Sequence, residues 1–151
     1  MSLASEQVLD IRVTVAAPLE LGATPHGTRR VIHITGGSFS GPRLKGSVVP
    51  GGADWQVIRP DGVTELTALY EIKTDDGVLI HVTNRGLRHG PDAVMQRLAR
   101  GETVDPSAYY FRTVPVFDAP AGPYGWLNRA VFIGSGVRHP AEVQLRVFQV
   151  L

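Results

Sequence analysis

The sequence contains no cysteine among its 151 residues. Disulfide bridges, thiolate metal sites and a cysteine nucleophile are therefore excluded. An excess of charge is also missing, because 15 Lys and Arg residues face 14 Asp and Glu residues. This balance gives no electrostatic basis for binding nucleic acid or an anionic membrane, so neither is expected as a partner.

Long apolar runs and the common enzyme motifs are absent as well. No stretch reaches the ~18 apolar residues of a membrane span, and Met1–Glu6 lacks the basic start and apolar run of a signal peptide. We therefore expect a cytoplasmic protein. The five histidines never form His-x-His, and no phosphate-binding loop occurs. Accordingly, we expect neither a metal site nor a cofactor.

Glycine and proline are frequent, at 17 and 11 residues, and apolar and polar residues alternate between them. Leu9–Val15 follows the alternation of a half-buried strand. Leu66–Thr74 and Val78–Asn84 flank the turn sequence Asp75-Asp76-Gly77, which predicts a hairpin. Pro91–Arg100 predicts the single helix, because proline suits the first helical position and Gly101 follows the last.

These patterns predict an all-β fold, a single antiparallel β-barrel of about eight to ten short strands with one short helix. A barrel has no open edge, and one of about eight strands can hold a small ligand. We assign residues 9–151 to one barrel domain. Residues 1–8 are predicted to be a flexible N-terminus, and the opening Met-Ser-Leu is typical of a vector-derived start.

Asp54 and Trp55 follow the glycine-rich turn Pro50-Gly51-Gly52. A carboxyl group beside an indole at the mouth of a barrel would have a raised pKa and could act as a general acid or base. In the alternative interpretation, Asp54 caps the turn through the backbone and Trp55 fills the core. The local sequence favours this structural alternative.

Tyr110 and Arg112 project to the same side if Tyr109–Thr113 is a strand. A phenol and a guanidinium group so placed could bind a carboxylate or an enolate oxygen. In the alternative, this pair lies on a solvated outer face while Tyr109, Phe111 and Thr113 face the core. The sequence does not decide between the two.

Trp126 and Asn128 alternate with their neighbours in a predicted strand from Trp126 to Gly134, and they form its better interior pair. An indole wall and an amide are common in ligand pockets, although a core tryptophan and a turn-capping asparagine fit equally well. Tyr70 shares a face with Ala68 and Ile72, so its hydroxyl is predicted to point into the barrel. We include Tyr70 among the candidate ligand-binding residues, with a structural hydrogen bond as the alternative.

With these segments identified, the sequence resembles the domain of unknown function 3237 (DUF3237) family, also grouped as uncharacterised protein family 0311 (UPF0311). The resemblance extends from about Leu9 to Val150, and its specificity lies in an ordered set of motifs. The matching segments are Ile34–Pro42, Pro50–Trp55, Tyr70–Gly77, Tyr109–Thr113, Tyr124–Asn128 and Phe132–Arg138.

The resemblance implies a single-domain antiparallel β-barrel and no particular activity. The family pattern favours six of the candidate positions, namely Asp54, Trp55, Tyr110, Arg112, Trp126 and Asn128. One departure concerns Leu69, where the family often has an arginine. If that arginine binds an anionic ligand, its role here is lost or has moved to Arg112.

Three functions remain open from the sequence. In the first, a cofactor-independent enzyme of isomerase, lyase or cyclase type uses Asp54 to move a proton and Tyr110 and Arg112 to stabilise an oxyanion. The second is a non-catalytic barrel that binds a small ligand. The third is a homo-oligomeric assembly protein that associates through the apolar faces of Leu9–Val15 and Val143–Val147.

Overall fold

The computed structural model describes all residues from 1 to 151. It contains ten strands, one α-helix and two short 3-10 helices, and so confirms the predicted all-β barrel. The strands are β1 (Ser5–Val15), β2 (Leu19–Thr24), β3 (Gly27–Ser40), β4 (Gly46–Val48), β5 (Ala53–Ile58), β6 (Thr64–Thr74), β7 (Leu79–His89), β8 (Tyr110–Asp118), β9 (Val131–Arg138) and β10 (Glu142–Val150). The α-helix is α1 (Asp92–Ala99), and the 3-10 helices are Pro106–Ala108 and Gly125–Arg129.

All strand pairs are antiparallel, and the sheet closes on itself. The order runs β1-β10-β9-β8-β7-β6, and β3 pairs with β1 to complete the circle. Strands β4 and β5 lie one after the other between β3 and β6, while β2 pairs with the first part of β3. The result is a closed barrel of eight strands with two extra strands. Closure leaves one face of each barrel strand directed inward.

The first strand begins earlier than the sequence predicted. Residues 5–7 pair with Phe148–Val150 of β10, and the Val8 side chain is 1% exposed. Residues 5–8 therefore belong to the barrel and not to the predicted flexible N-terminus. The sequence did not predict this part of β1 because Ser5, Glu6 and Gln7 show no apolar alternation. Backbone pairing with β10 is what places them in the sheet. A register shift between Gln7 and Leu9 then allows Val8 and Leu9 both to be buried.

Different elements cover the two ends of the barrel. At one end, Leu98 of α1 packs with Leu66 of β6 and Phe111 of β8 in a small hydrophobic cluster. At the other end, Leu127 of the Gly125–Arg129 helix joins the larger cluster of 18 buried residues. Tyr124 fixes this second end by donating its hydroxyl to Asp76, in the turn between β6 and β7. The barrel interior is thus divided into two packed regions.

Helix α1 agrees with the predicted helix to within one residue at each end. It is only eight residues long. No helix of the protein is both long enough and apolar enough to cross a membrane.

Candidate functional site

A cavity lies inside the barrel between the two hydrophobic clusters. The space inside it that is open to the centre of a water molecule is about 50 Å³, and the empty volume reaches about 530 Å³ when open solvent at the mouth is included. Most of the wall is apolar and comes from inward-facing residues of several strands, among them Val13, Ile32, Leu66, Phe111 and Leu145. An apolar wall lowers the local dielectric constant and strengthens the interactions of every polar group in the cavity.

Four buried side-chain atoms have no hydrogen-bond partner in the protein, and all four belong to residues that line this cavity. They are Asp54 Oδ1, Tyr70 OH, Asn84 Oδ1 and Thr113 Oγ1. An unsatisfied buried polar group costs about 1–3 kcal/mol, and such groups are uncommon in proteins. Their concentration in one cavity makes it the chemically distinctive part of the molecule.

The strand register explains why two of these groups lie near each other. Asp54 on β5 is directly opposite Ala68 on β6, and Ala68 is directly opposite Asn84 on β7. Residues opposite each other on neighbouring strands share a face of the sheet. The carboxyl group and the amide therefore flank a methyl group, and the small size of Ala68 leaves space between them.

Asp54 is held by a short hydrogen-bond chain. Its Oδ2 accepts a hydrogen bond from Gln56 Nε2 at 2.7 Å, and Gln56 Oε1 accepts one from Arg30 Nε at 2.7 Å. Burial raises the pKa of Asp54 above its ordinary value, although the Gln56 hydrogen bond and the charges of Arg88 and Arg30 oppose the shift. A carboxyl group with a raised pKa and one free oxygen is suited to exchanging a proton with a neighbouring molecule.

Tyr70 lies on the inward face, as its alignment with Ala68 and Ile72 predicted. Its side chain is fully buried, and its hydroxyl belongs to the cavity lining. Burial, reinforced by the charge of Asp54, raises the pKa of Tyr70. The hydroxyl therefore stays protonated and is available as a hydrogen-bond donor inside the cavity.

Arg88 and Arg138 also line the cavity, although neither was among the residues predicted from the sequence. Arg88 is 4% exposed. Burial, together with the charges of Arg30 and Arg138, lowers its pKa to about 10. The signal was present in β7, where the face shared by Val82 and Asn84 continues to Arg88. Arginine side chains are mostly exposed in proteins, so the pattern alone did not indicate that Arg88 continues the inward face of β7.

Three of the predicted site residues lie on the outer surface of the barrel. Inward positions of β8 are taken by Phe111 and Thr113, so Tyr110 and Arg112 point outward. Tyr110 is 47% exposed and stacks on His89 with ring centroids 5.0 Å apart. Trp55 is 44% exposed on the outer face of β5, away from Asp54. None of the three lines the cavity.

Trp126 and Asn128 also lie away from the cavity. They belong to the Gly125–Arg129 helix, and β9 begins only at Val131, so the predicted strand from Trp126 is wrong. The Arg43 guanidinium lies 3.8 Å from the Trp126 ring centroid. Asn128 uses both ends of its amide on the backbone of Ala119, at 2.8 Å each. This segment closes the far end of the barrel.

Comparison with known proteins agrees with this architecture. The family described as "Protein of unknown function (DUF3237)" matches residues 3–150 of the chain. The chain belongs to the DUF3237 family. This confirms the resemblance drawn from the ordered motifs of the sequence.

Curated relatives of the chain include UPF0311 proteins of two bacteria. A UPF0311 protein of Rhodopseudomonas palustris is 41% identical over 99% of this chain and 98% of its own length. A UPF0311 protein of Clostridium acetobutylicum is 40% identical over 96% of this chain and 92% of its own length. Identity at this level along the whole chain shows that the family assignment covers the complete barrel.

Solved structures resemble the barrel just as closely. A crystal structure of a Rhodopseudomonas palustris protein of unknown function superposes with a TM-score of 0.97, at 41% identity over 100% of this chain and 99% of its own. A β-barrel-like protein of Acinetobacter baumannii gives 0.87 at 36% identity, over 100% and 98%. An enzyme of Penicillium herquei gives 0.74 at 20% identity, over 100% and 96%. This last similarity shows a shared fold.

Proposed function

We propose that this DUF3237 protein is a cofactor-independent enzyme that binds a small, largely apolar molecule inside the barrel and transfers a proton on it. The observation that carries the proposal is the free Oδ1 of Asp54, buried in an apolar cavity together with the three other unpartnered polar groups. Pockets of this kind combine an apolar wall with a few convergent polar groups that orient the ligand.

Asp54 acts as the general acid or base. Its carboxylate accepts a proton from a carbon next to a carbonyl or aromatic group. In an isomerisation or cyclisation, the resulting carboxyl group returns the proton at another position of the same molecule. In an elimination, the bond from the adjacent carbon to a leaving group breaks and the leaving group takes the proton, so atoms and charge balance without a cofactor in each case. Tyr70 and Asn84 bind polar groups of the substrate, and the nearby arginine charges stabilise negative charge on it.

The fold is compatible with catalysis, because the Penicillium herquei protein that shares it is described as an enzyme. The alternative is a barrel that binds a small ligand without changing it. That alternative gives Asp54 no chemical role, so replacement of this carboxyl group separates the two hypotheses.

Obstructing the cavity with a larger side chain tests whether a ligand binds there. We expect small carbonyl and aromatic compounds to raise the melting temperature of the wild-type protein. A ligand at ~100 times its dissociation constant adds about 2.7 kcal/mol, which corresponds to roughly 5–10 °C for a chain of this size. Ala68→Phe, placed between Asp54 and Asn84, should remove the shift, whereas Leu69→Phe on the outer face should preserve it.

Circular dichroism melting curves confirm that each variant is folded, and Ala68→Val provides a smaller obstruction if the phenylalanine is not tolerated. A shift that persists in Ala68→Phe would locate binding elsewhere and contradict the proposal. The same conclusion follows if no compound class stabilises the wild-type protein.

Self-association is the second candidate function, favoured by an exposed apolar area on the outer face of β8 and β9. Val116 is 60% exposed and Val131 is 62% exposed. The sequence predicted assembly through the apolar faces of Leu9–Val15 and Val143–Val147. In the structure, these segments direct their apolar side chains mainly into the barrel. Light scattering between about 1 and 100 µM would show a multiple of 16.3 kDa if the protein self-associates. A monomer throughout would exclude this function.

A further inference from the structure

A wider space lies outside the cavity, between α1 and the adjacent end of the barrel. We call it the vestibule, and define it by Arg30, Arg88, Arg100 and Arg138 together with Leu98 of α1. Its lining contains no aspartate and no glutamate. Arg88 and Arg138 line both the vestibule and the inner cavity, so they form the neck between the two spaces.

Arg88 and Arg138 of the neck have no carboxylate within ion-pair distance, whereas Arg100 at the rim of the vestibule pairs with Glu102. Arg12 pairs with Glu142 and Arg59 with Asp61, although both arginines are substantially exposed. None of the ion pairs of the chain involves Arg30, Arg88 or Arg138.

The absence of a carboxylate partner is unusual for Arg88, because a buried charge without a partner is costly whereas an exposed charge needs none. Asp54 is the one acidic residue that lines either the cavity or the vestibule. Its single negative charge does not balance three guanidinium groups. A site that holds one buried cation and two partly buried cations in this way is stabilised when an anion enters it.

We propose that the molecule bound in the barrel is an amphiphilic oxyanion, a carboxylate or phosphate monoester attached to a small apolar body. Its charged head lies between Arg88 and Arg138 in the neck, and its apolar body extends into the cavity toward Tyr70. The planar forks of two arginines match the oxygen atoms of either head group. This inference rests on the proposed function and specifies its substrate class.

An anion in the neck has a consequence for Asp54. A second negative charge nearby disfavours ionisation of the Asp54 carboxyl group. The head group therefore raises the pKa of Asp54 further, which makes its carboxylate a stronger base toward the substrate proton. The head group would thus both hold the substrate and increase the basicity of Asp54.

Head-group exchange on a constant apolar body tests the inference. The probes are carboxylic acids with phenyl to naphthyl bodies, each compared with its neutral primary amide and the matching phosphate monoester. We expect at least one anionic series to bind at least about tenfold more tightly than the amides, measured by titration calorimetry. The relative affinity of carboxylates and phosphates identifies the head group.

Arg138→Gln should weaken the anions at least about tenfold and leave the amides unchanged. Arg112→Ala, on the outer face of β8, is the matched control and should change neither. If Arg138→Gln does not fold, Arg88→Met removes the other cation of the neck. It should also lose anion binding, while melting at a higher temperature than the wild-type protein because a buried unpaired charge is gone.

The result that overturns this inference differs from the one that overturns the proposed function. Equal binding of acids and amides, unaffected by Arg138→Gln but removed by Ala68→Phe, would preserve the cavity as the binding site and reject the anionic head group. Absence of binding by all three series would contradict both.

Discussion

Asp54→Asn is expected to abolish turnover and yet to raise the melting temperature at neutral pH. The amide has the same shape as the carboxyl group, and its oxygen can still accept the hydrogen bond from Gln56. It cannot exchange a proton, so a loss of about 10²–10⁴ in kcat is expected for a general acid or base. The stability gain arises because the wild-type protein holds a carboxylate where burial opposes its charge.

The pH dependence of the two proteins separates this explanation from a local packing effect. Because the pKa of Asp54 is raised on folding, the folded protein binds more protons than the unfolded chain between the ordinary value of 3.8 and the raised value. In the wild-type protein, the contribution of Asp54 to the free energy of unfolding therefore falls as the pH rises through that window. The difference in melting temperature between variant and wild type should be largest above the window and disappear below it.

Asp118→Asn provides the matched control, because Asp118 is exposed on the outer face of β8. We expect it to change neither turnover nor the pH profile of stability. If Asp54→Asn turned over substrate at the wild-type rate, Asp54 would not be the proton-transfer group. A lower melting temperature for that variant at every pH would show that the carboxylate is stabilised by its surroundings.

Gly37→Ala is expected to cause the largest loss of stability in the barrel wall. Gly37 lies on β3 opposite Val13 of β1, with φ of 135°. An added Cβ would lie 2.0 Å from the backbone oxygen of Arg12, so the two strands would have to separate. We expect a loss of more than about 4 kcal/mol, measured by urea denaturation, or failure to accumulate as folded protein.

Gly51→Ala isolates the conformational part of this effect. Gly51 also has a positive φ, of 112°, but nothing lies within 4 Å of an added Cβ. Backbone strain alone costs about 1–3 kcal/mol. If Gly37→Ala costs no more than Gly51→Ala, the close approach of β1 and β3 is not what requires glycine.

The sequence predicted the barrel because alternation, turns and the helix boundaries are all local signals. It also directed Tyr70 to the inside, but for Asp54 it favoured a turn-capping role over a place at the mouth of the barrel. Both residues line the cavity. It left the orientation of β8 open because aromatic residues occur on both faces of this strand, at Tyr110 and Phe111, so the apolar pattern fits either register. A shift of one residue exchanges the inner and outer faces.

The remaining errors have different physical causes. Trp126–Arg129 is too short for alternation to distinguish a strand from a 3-10 helix, and only the packing of Leu127 on the far end of the barrel decides it. Arg88 and Arg138 were missed because their burial depends on a shared cavity, which no local pattern encodes. The chemically unusual residues are thus the ones that local patterns describe least well.

The pairing of β1 with both β3 and β10 has a consequence for synthesis on the ribosome. Arg12 and Glu142, which bridge β1 and β10, are separated by 130 residues in the chain. While β10 is still inside the ribosome, β1 has an unpaired edge, and the side of the cavity formed by Val143 and Leu145 does not yet exist. Pairings between such distant segments form slowly. The nascent chain therefore gains its closed wall and its binding capacity together, only once β10 has left the ribosome.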